Sequence, residues 1–474
     1  MATMNILKIS TPLCSLLRSC SVRKAHQLTR ATFAQTLLNL PETKVTELDN
    51  GFKVATQSSD SGSATVGLWI DAGSRFESPE TNGVGNFFEK MLLKGTKQRS
   101  EKDIAAEISN LGAQVSSYTD REETAIFAKC LPGDISKVVD ILSDCVQNSK
   151  FDSQQMEEVR KDILNTLEEA ETDYRLVTFD YLHLTAYQGT PLGKSILGPS
   201  ENIKTITADD LTFYVRNNFL SSRMALVGSG NINHNDLVKL AEKHFSAQPN
   251  TYTAEIPLVT RCRYTGSEVR DRDDWLPFAH VAVAIDTCGH DSKDIYPLLL
   301  AKTIVGSWDK TSSIGDHTVH KLVNNIHKEK RCHSFETFHI TYRDTGLWGC
   351  YFVMDKMVLD DFMFNLQNEW MRLCISMTES DLQIAKNALK VNLIESLDGT
   401  TATCKDIGRS VLHYKSHVPL SEKIEHIESV SLKHMKDVCS KYIYNRCPAI
   451  AAVGPIEALT DYNRVRSNMY WLRY

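Results

Sequence analysis

Residues 82–94 read NGVGNFFEKMLLK and follow an apolar stretch, TVGLWID, at residues 65–71. Large apolar residues recur here with the spacing i, i+3, i+4, i+7 and i+8: Val84, Phe87, Phe88, Met91 and Leu92. This spacing predicts a helix with one buried face. The Asn-Gly pair at its start and Gly95 at its end are the expected boundary signals. A strand followed by this helix therefore forms the nucleus around which we place the rest of the fold.

Three polar residues of this helix form a pattern of their own. Asn86 and Lys90 lie one turn apart on a common face, with Glu89 beside Lys90. Zinc peptidases of the inverted type carry H-x-x-E-H with this spacing, in which two imidazoles bind the metal and the glutamate acts on water. The letters here are N-F-F-E-K, so the glutamate is present and both imidazoles are replaced.

Several long blocks of the chain resemble the M16 metallopeptidase family. They are AGSRFE at 72–77, NGVGNFFEK at 82–90, GTPLGKSILGPSENI at 189–203 and SFETFHITYRDTGLWG at 334–349. The resemblance implies a third zinc ligand, a glutamate, about 75 residues after the second histidine position, and another acid two turns earlier on the same helix. In this sequence those positions are Thr166 and Val159.

The family's polar positions are therefore mostly changed. Of the five, only Glu89 keeps its expected type, while four differ: Asn86, Lys90, Val159 and Thr166. An amide, an ammonium and a hydroxyl do not replace imidazole and carboxylate as zinc ligands. We expect no catalytic residue, no metal and no cofactor at this site, and we expect Glu89 to pair with Lys90.

Other candidate sites have simpler interpretations. The histidines of an H-x-x-H pattern and its neighbour are expected at the surface or facing a partner: His317, His320 and His327. The glycine-containing residues 228–230 lack a full dinucleotide-binding fingerprint and are expected to form a turn that closes a sheet. The resemblance places Tyr342 and Arg343 where active M16 enzymes face substrate, and without a metal we favour a structural role.

Composition limits the classes of function. The chain has 474 residues, a net charge of −6 and no basic excess, which argues against nucleic-acid binding. Its twelve cysteines form no C-x-x-C pair, so reduced and mostly buried thiols are expected. No apolar run approaches the ~20 residues needed to cross a bilayer. Residues 1–40 carry basic, hydroxyl and apolar residues but no acid, which is typical of a mitochondrial transit peptide; a tail of accidental composition is the alternative.

The sequence predicts an internal duplication. At an offset of 224, residues 206–232 align without gaps over residues 430–456, and both segments show a helix, an apolar strand and a glycine. We predict an α+β fold of two homologous M16-type α/β sandwich domains, residues 41–245 and 266–474. Residues 246–265, where periodicity fails, are the predicted linker.

The resemblance and the changed site together imply a function. They imply a non-catalytic, core-1-like subunit of the mitochondrial cytochrome bc1 complex, peripheral on the matrix side of the inner membrane. The implied partners are a core-2-like subunit and the cytochrome b, cytochrome c1 and Rieske subunits. The alternatives are a beta-like subunit of a mitochondrial processing peptidase and a presequence-binding pseudo-peptidase. The glycine-rich loop of the latter is missing, since residues 305–320 contain two glycines.

Overall fold

The computed structural model describes residues 41–252, 261–311, 318, 320–327, 332–414 and 416–470. The described residues form twelve strands and sixteen α-helices. We call residues 41–252 the first half and residues 261–470 the second half. The predicted transit peptide, His317 and the side chain of His327 lie outside the described residues. No described helix has the length and apolarity needed to span a membrane.

The first half contains one six-stranded sheet and eight helices. Its strands are β1 (Thr43–Glu47), β2 (Lys53–Ser58), β3 (Ala64–Ile70), β4 (Gln114–Thr119), β5 (Thr124–Cys130) and β6 (Met224–Gly230). Its helices are α1 (Val84–Met91), α2 (Glu101–Leu111), α3 (Ile135–Gln147), α4 (Ser153–Ala170), α5 (Tyr174–Ala186), α6 (Ser200–Thr205), α7 (Ala208–Asn218) and α8 (His234–Phe245).

The second half repeats this organisation. Its strands are β7 (Glu268–Arg272), β8 (Ala279–Thr287), β9 (Ser307–Asp309), β10 (Cys332–Thr341), β11 (Gly346–Met354) and β12 (Ala449–Gly454). Its helices are α9 (Ile295–Val305), α10 (Lys321–His327), α11 (Leu359–Ile375), α12 (Glu379–Ser396), α13 (Thr400–Tyr414), α14 (Leu420–Ser429), α15 (Leu432–Tyr442) and α16 (Tyr462–Asn468).

The two sheets share one topology. The strand orders are β1-β2-β6-β3-β5-β4 and β7-β12-β8-β11-β10-β9. In each sheet one pair is parallel, β2 with β6 and β7 with β12, and the other pairs are antiparallel. Five strands of one sheet therefore match five of the other, and β1 and β9 are additions at opposite edges. The predicted α+β class and the duplication are both confirmed.

The offset of 224 holds in three dimensions. Both ends of α7 and α15 differ by this number. Gly230 and Gly454 end their strands with φ of +110° and +105°, a conformation that favours glycine. The predicted turn at residues 228–230 is wrong for Gly228 and Ser229, which are strand residues of β6. A Cβ on Gly228 would lie 2.9 Å from the Ile232 side chain, so close packing rather than a turn explains that glycine.

A second difference concerns the boundary between two helices, which the sequence predicts over residues 154–174 and 176–187. In the structure α4 ends earlier, at Ala170, and α5 begins at Tyr174, because Asp173 caps α5. Its carboxylate accepts hydrogen bonds from the backbone N–H groups of Arg175 and Leu176, which is the geometry of a helix N-cap. Residues 246–252 and 261–265 contain no helix or strand. Residues 253–260 lie outside the described part, so the linker stays a prediction.

Each half covers a sheet of the other half with one helix. Helix α5 of the first half packs its Leu182 and Ala186 against Ala282 and Ala449 of the second sheet. Helix α13 of the second half packs in the same way on the first sheet, with these buried partners: Cys404, Ile407 and Val411 against Trp69, Ala225 and Val227. The helices of each half cover the opposite face of their own sheet. This exchange fixes the two halves against each other in one compact unit from Pro41 onward.

Candidate functional site

A buried carboxylate holds the start of helix α1. Glu77 accepts hydrogen bonds of 2.8 Å from the Asn82 side-chain amide and from the backbone N–H groups of Gly83 and Gly85. The N-cap residue of α1 is Gly83, with φ of +101°, and it has no side chain that could accept a hydrogen bond. Glu77 therefore supplies the acceptors that the side chain of an ordinary N-cap residue would provide. The position of α1 is thereby fixed on the sheet.

Two of the three polar residues of α1, Glu89 and Lys90, have ordinary structural partners. Asn86 and Glu89 are buried, with exposed fractions of 5% and 9%. The Ser117 hydroxyl donates a hydrogen bond of 3.0 Å to Glu89 Oε1, and Lys90 Nζ lies 3.8 Å from the same oxygen. The predicted pairing of Glu89 with Lys90 is therefore present, and the Lys90 side chain is half exposed.

The two positions on α4 offer no metal ligand. Val159 is buried in the apolar core of the first half, together with Phe87 of α1. Thr166 is exposed, and its hydroxyl donates to the backbone carbonyl of Asp162 at 2.9 Å, within its own helix. At these two positions the resemblance implies carboxylates, but the chain has the methyl groups of Val159 and the hydroxyl of Thr166, which already donates a hydrogen bond within its own helix.

The residues predicted to be structural in the second half join it to the first. Tyr342 is buried, and its hydroxyl lies 2.8 Å from Nε2 of His183. Arg343 forms an ion pair of 2.8 Å with Asp71, and its backbone N–H donates to Glu122 at 3.0 Å. Both residues therefore act at the junction of the halves.

His320 of the H-x-x-H pattern has a contact within the second half. Its ring is half buried, and Nδ1 lies 3.0 Å from the backbone carbonyl oxygen of Ile304. A Cβ on Gly306 would come within 2.7 Å of this ring. His320 therefore packs against the end of α9 while part of its ring stays accessible, and a partner-facing role stays a prediction.

A cavity of about 570 Å³, with several charged residues in its walls, lies at the junction of the halves. Most of its lining residues come from four segments: the β4–β5 loop at residues 120–123, residues 290–296, residues 339–342 of β10 and its end, and residues 406–414 of α13. Because the walls come from both halves, the cavity forms only when they are packed together.

A cluster of Glu122, His290 and His413 lies in this cavity. One ligand atom from each residue lies within 4.8 Å of the other two, and this is the only group of three or more potential metal-ligating side chains within the described part of the chain. The imidazole rings of His290 and His413 stack with centroids 4.5 Å apart. Sequence reasoning missed the cluster because its members are separated by more than 100 residues and share no short motif.

The cavity's charged groups are strongly perturbed. Burial, with the neighbouring His413, lowers the pKa of His290 to about 3. Burial opposes ionisation of Glu123, but the nearby imidazole of His413 and guanidinium of Arg409 lower its pKa to about 2. Arg75 is buried against Glu122 and Asp344, so carboxylates and guanidiniums alternate along this wall.

Comparison with known proteins gives consistent matches over most of the chain. The family models "Insulinase (Peptidase family M16)" and "Peptidase M16 inactive domain" match residues 53–200 and 205–389. Cytochrome b-c1 complex subunit 1, mitochondrial, of Mus musculus is 46% identical over 445 residues, which cover 94% of this chain and 93% of the relative. Mitochondrial-processing peptidase subunit beta of Bos taurus is 46% identical over 439 residues, covering 93% and 90%.

A solved structure agrees with these sequences. A chain of the structure "Complex III2 from Candida albicans, Inz-5 bound" superimposes with a TM-score of 0.80 at 27% identity. The superposition covers 90% of this chain and 99% of that chain. The topology, the duplicated halves and these matches agree: the chain belongs to the M16 peptidase family.

Proposed function

We propose that this chain is a non-catalytic, core-1-like subunit of the mitochondrial cytochrome bc1 complex. The observation that carries the proposal is the state of the family's metal positions on α1 and α4. Asn86, Lys90 and Thr166 stand there, and Glu89 is bound to Ser117 and Lys90. The likeness to subunit 1 of the b-c1 complex and to a chain of a complex III structure supports the assignment to that complex.

Coordination chemistry argues against peptidase activity. A catalytic zinc ion requires three protein ligands drawn from imidazole, thiolate and carboxylate, and it supplies the lowered pKa of the attacking water. The side chain of Lys90 would have to lose a proton to coordinate, and Thr166 already donates its hydroxyl to Asp162. Glu89 alone has no metal-bound water on which to act.

The proposal extends to partners and location. A core-2-like subunit would pair with this chain, and the cytochrome b, cytochrome c1 and Rieske subunits would connect it to the membrane. The chain would lie on the matrix side of the mitochondrial inner membrane as a peripheral subunit. It would carry no haem or iron–sulfur cluster, and its contribution would be structural support and assembly.

Purification of the tagged full chain from mitochondria in a mild detergent tests the assignment. We expect cytochrome b, cytochrome c1 and a second M16 subunit to co-purify in equal amounts. Recovery with a processing-peptidase alpha subunit, and without cytochromes, would overturn the assignment.

The equal identity to a processing-peptidase beta subunit makes that enzyme the second candidate. Incubating the chain and its partner with a presequence-bearing precursor and zinc distinguishes the two. We expect no cleavage, and we expect the variant Glu89→Gln to be indistinguishable from the unchanged chain. Zinc-dependent cleavage that Glu89→Gln abolishes would establish the peptidase instead.

A further inference from the structure

The cluster of Glu122, His290 and His413 is contributed by both halves. Glu122 lies in the β4–β5 loop of the first half, His290 follows β8 of the second half, and His413 lies in the last turn of α13. Each pair of their ligand atoms is separated by at most 4.8 Å, and the two imidazole rings are within 24° of parallel. Three donors from distant parts of the chain therefore converge on one side of the cavity.

The surrounding hydrogen bonds hold two of the three donors in place. The backbone N–H of His290 donates to the carbonyl of Tyr342 at 2.9 Å, and the Tyr414 hydroxyl donates to the carbonyl of His290 at 2.8 Å. Glu122 is bound by the guanidinium of Arg75 and the backbone N–H of Arg343. Such outer contacts are what orients the ligands of a metal site.

The third donor has unused hydrogen-bonding capacity. Nδ1 of His413 is buried and has no hydrogen-bond partner among the residues that the structure describes. The same holds for Oε2 of Glu123, which lies 3.7 Å from Nε2 of His413. A buried polar atom without a partner is unfavourable, and a bound ion would provide the missing interaction.

The donor set selects the class of ion. Two imidazoles and one carboxylate form a ligand set found in zinc sites that keep one position open. Donors on a tetrahedral zinc ion lie about 3.3 Å apart, so side-chain rotations that bring the ligand atoms about 1.5 Å closer would suffice. The arginines at Glu122 and Glu123 offset part of the carboxylate charge, and we therefore expect weaker binding than in a closed four-ligand structural site.

We propose that Glu122, His290 and His413 bind a divalent transition-metal ion of the zinc class, which joins the two halves and leaves one coordination position facing the cavity. The site is separate from the changed positions on α1 and α4, and it does not depend on the proposed function. The ion would act as a cross-link between the β4–β5 loop and α13.

Titration of the full chain with Co²⁺ tests the proposal, since tetrahedral cobalt absorbs visible light and zinc displaces it. We expect one equivalent to bind, and zinc to raise the melting temperature. His290→Gln and His413→Gln should each weaken binding at least tenfold, whereas His434→Gln, which changes an exposed histidine on α15, should leave it unchanged.

Two results would overturn the proposal. One is the absence of a stoichiometric cobalt absorption band. The other is a band that comes from a different site: it would survive both histidine substitutions, or it would disappear in Glu89→Gln, and the latter result would place the ion on α1. Near-UV circular dichroism of the metal-free variants establishes that they are folded. If a variant does not fold, anomalous scattering from zinc bound to the unchanged chain decides, since the peak must lie between Glu122, His290 and His413.

Discussion

Replacement of Glu77 by alanine should strongly destabilise the first half. Glu77 is buried and accepts hydrogen bonds from three buried donors. Asn82 keeps a second partner, the carbonyl of Ser195 at 2.9 Å, so the N–H groups of Gly83 and Gly85 bear most of the loss. An unpaired buried donor costs about 1–3 kcal/mol, and two give a loss of roughly 3 kcal/mol in the free energy of unfolding.

Thermal denaturation measures this effect. A loss of roughly 3 kcal/mol lowers the melting temperature by about 6–12 °C in a domain of this size. Glu77→Gln keeps one carbonyl acceptor, so its melting temperature should lie between those of the unchanged chain and Glu77→Ala. Thr166→Ala, at an exposed position on α4, is the control and should change stability by less than ~0.5 kcal/mol. If Glu77→Ala lowered the melting temperature by less than 2 °C, Glu77 would not be what holds the start of α1.

Three further predictions concern the junction and the thiols. Gly408→Val should lower the free energy of unfolding by at least 2 kcal/mol by weakening the packing of α13 on the first sheet, because even a Cβ there would lie 2.3 Å from the Trp69 ring. Urea unfolding measures this loss, and Gly133→Ala, at a position with open space around it, is the control. Burial alone would raise the pKa of Asp344, but hydrogen bonds from Arg75 and from the backbone N–H of Cys262 lower it below its ordinary 3.8. This carboxylate therefore stabilises the fold above about pH 4, and the stabilisation is lost as the pH falls. The difference in unfolding free energy between the unchanged chain and Asp344→Asn should accordingly be about 2 kcal/mol at pH 6 and shrink below pH 4, and a difference that does not vary with pH would contradict this. Among the described cysteines, Cys447 is exposed and the others are buried, and burial raises the pKa of Cys130 to about 11. Peptide mapping after brief treatment with iodoacetamide should therefore find Cys447 modified first. Earlier labelling of a buried cysteine would refute this order.

Local signals explain what the sequence could predict. The sequence predicts a helix over residues 101–111, and α2 has these bounds because Ser100 and Asp103 form a capping box and Gly112 takes a left-handed conformation. The sequence also predicts paired strands over residues 114–119 and 124–130, and β4 and β5 have these bounds, since a short polar loop separates two stretches of β-forming residues. The duplication was visible because one helix–strand unit recurs at a constant offset.

Contacts between distant residues explain what was missed. Helix α13 carries a narrow buried stripe among polar residues, with the spacing i, i+3, i+4 and i+7: Cys404, Ile407, Gly408 and Val411. Nothing local indicates that this stripe belongs to the sheet of the other half. The changed metal positions could be found from a single helical motif, whereas the cluster of Glu122, His290 and His413 depends on the packing of the halves and has no local sequence signal.

The exchange of helices has a consequence for the order of synthesis. The face of the first sheet around Trp69 and Val227 is complete when residue 245 has been made, yet the helix that covers it begins at Thr400. Roughly 155 further residues must be added first, which takes on the order of ten seconds at ordinary translation rates. During that interval a newly made first half exposes an apolar surface, which favours aggregation unless another protein covers it.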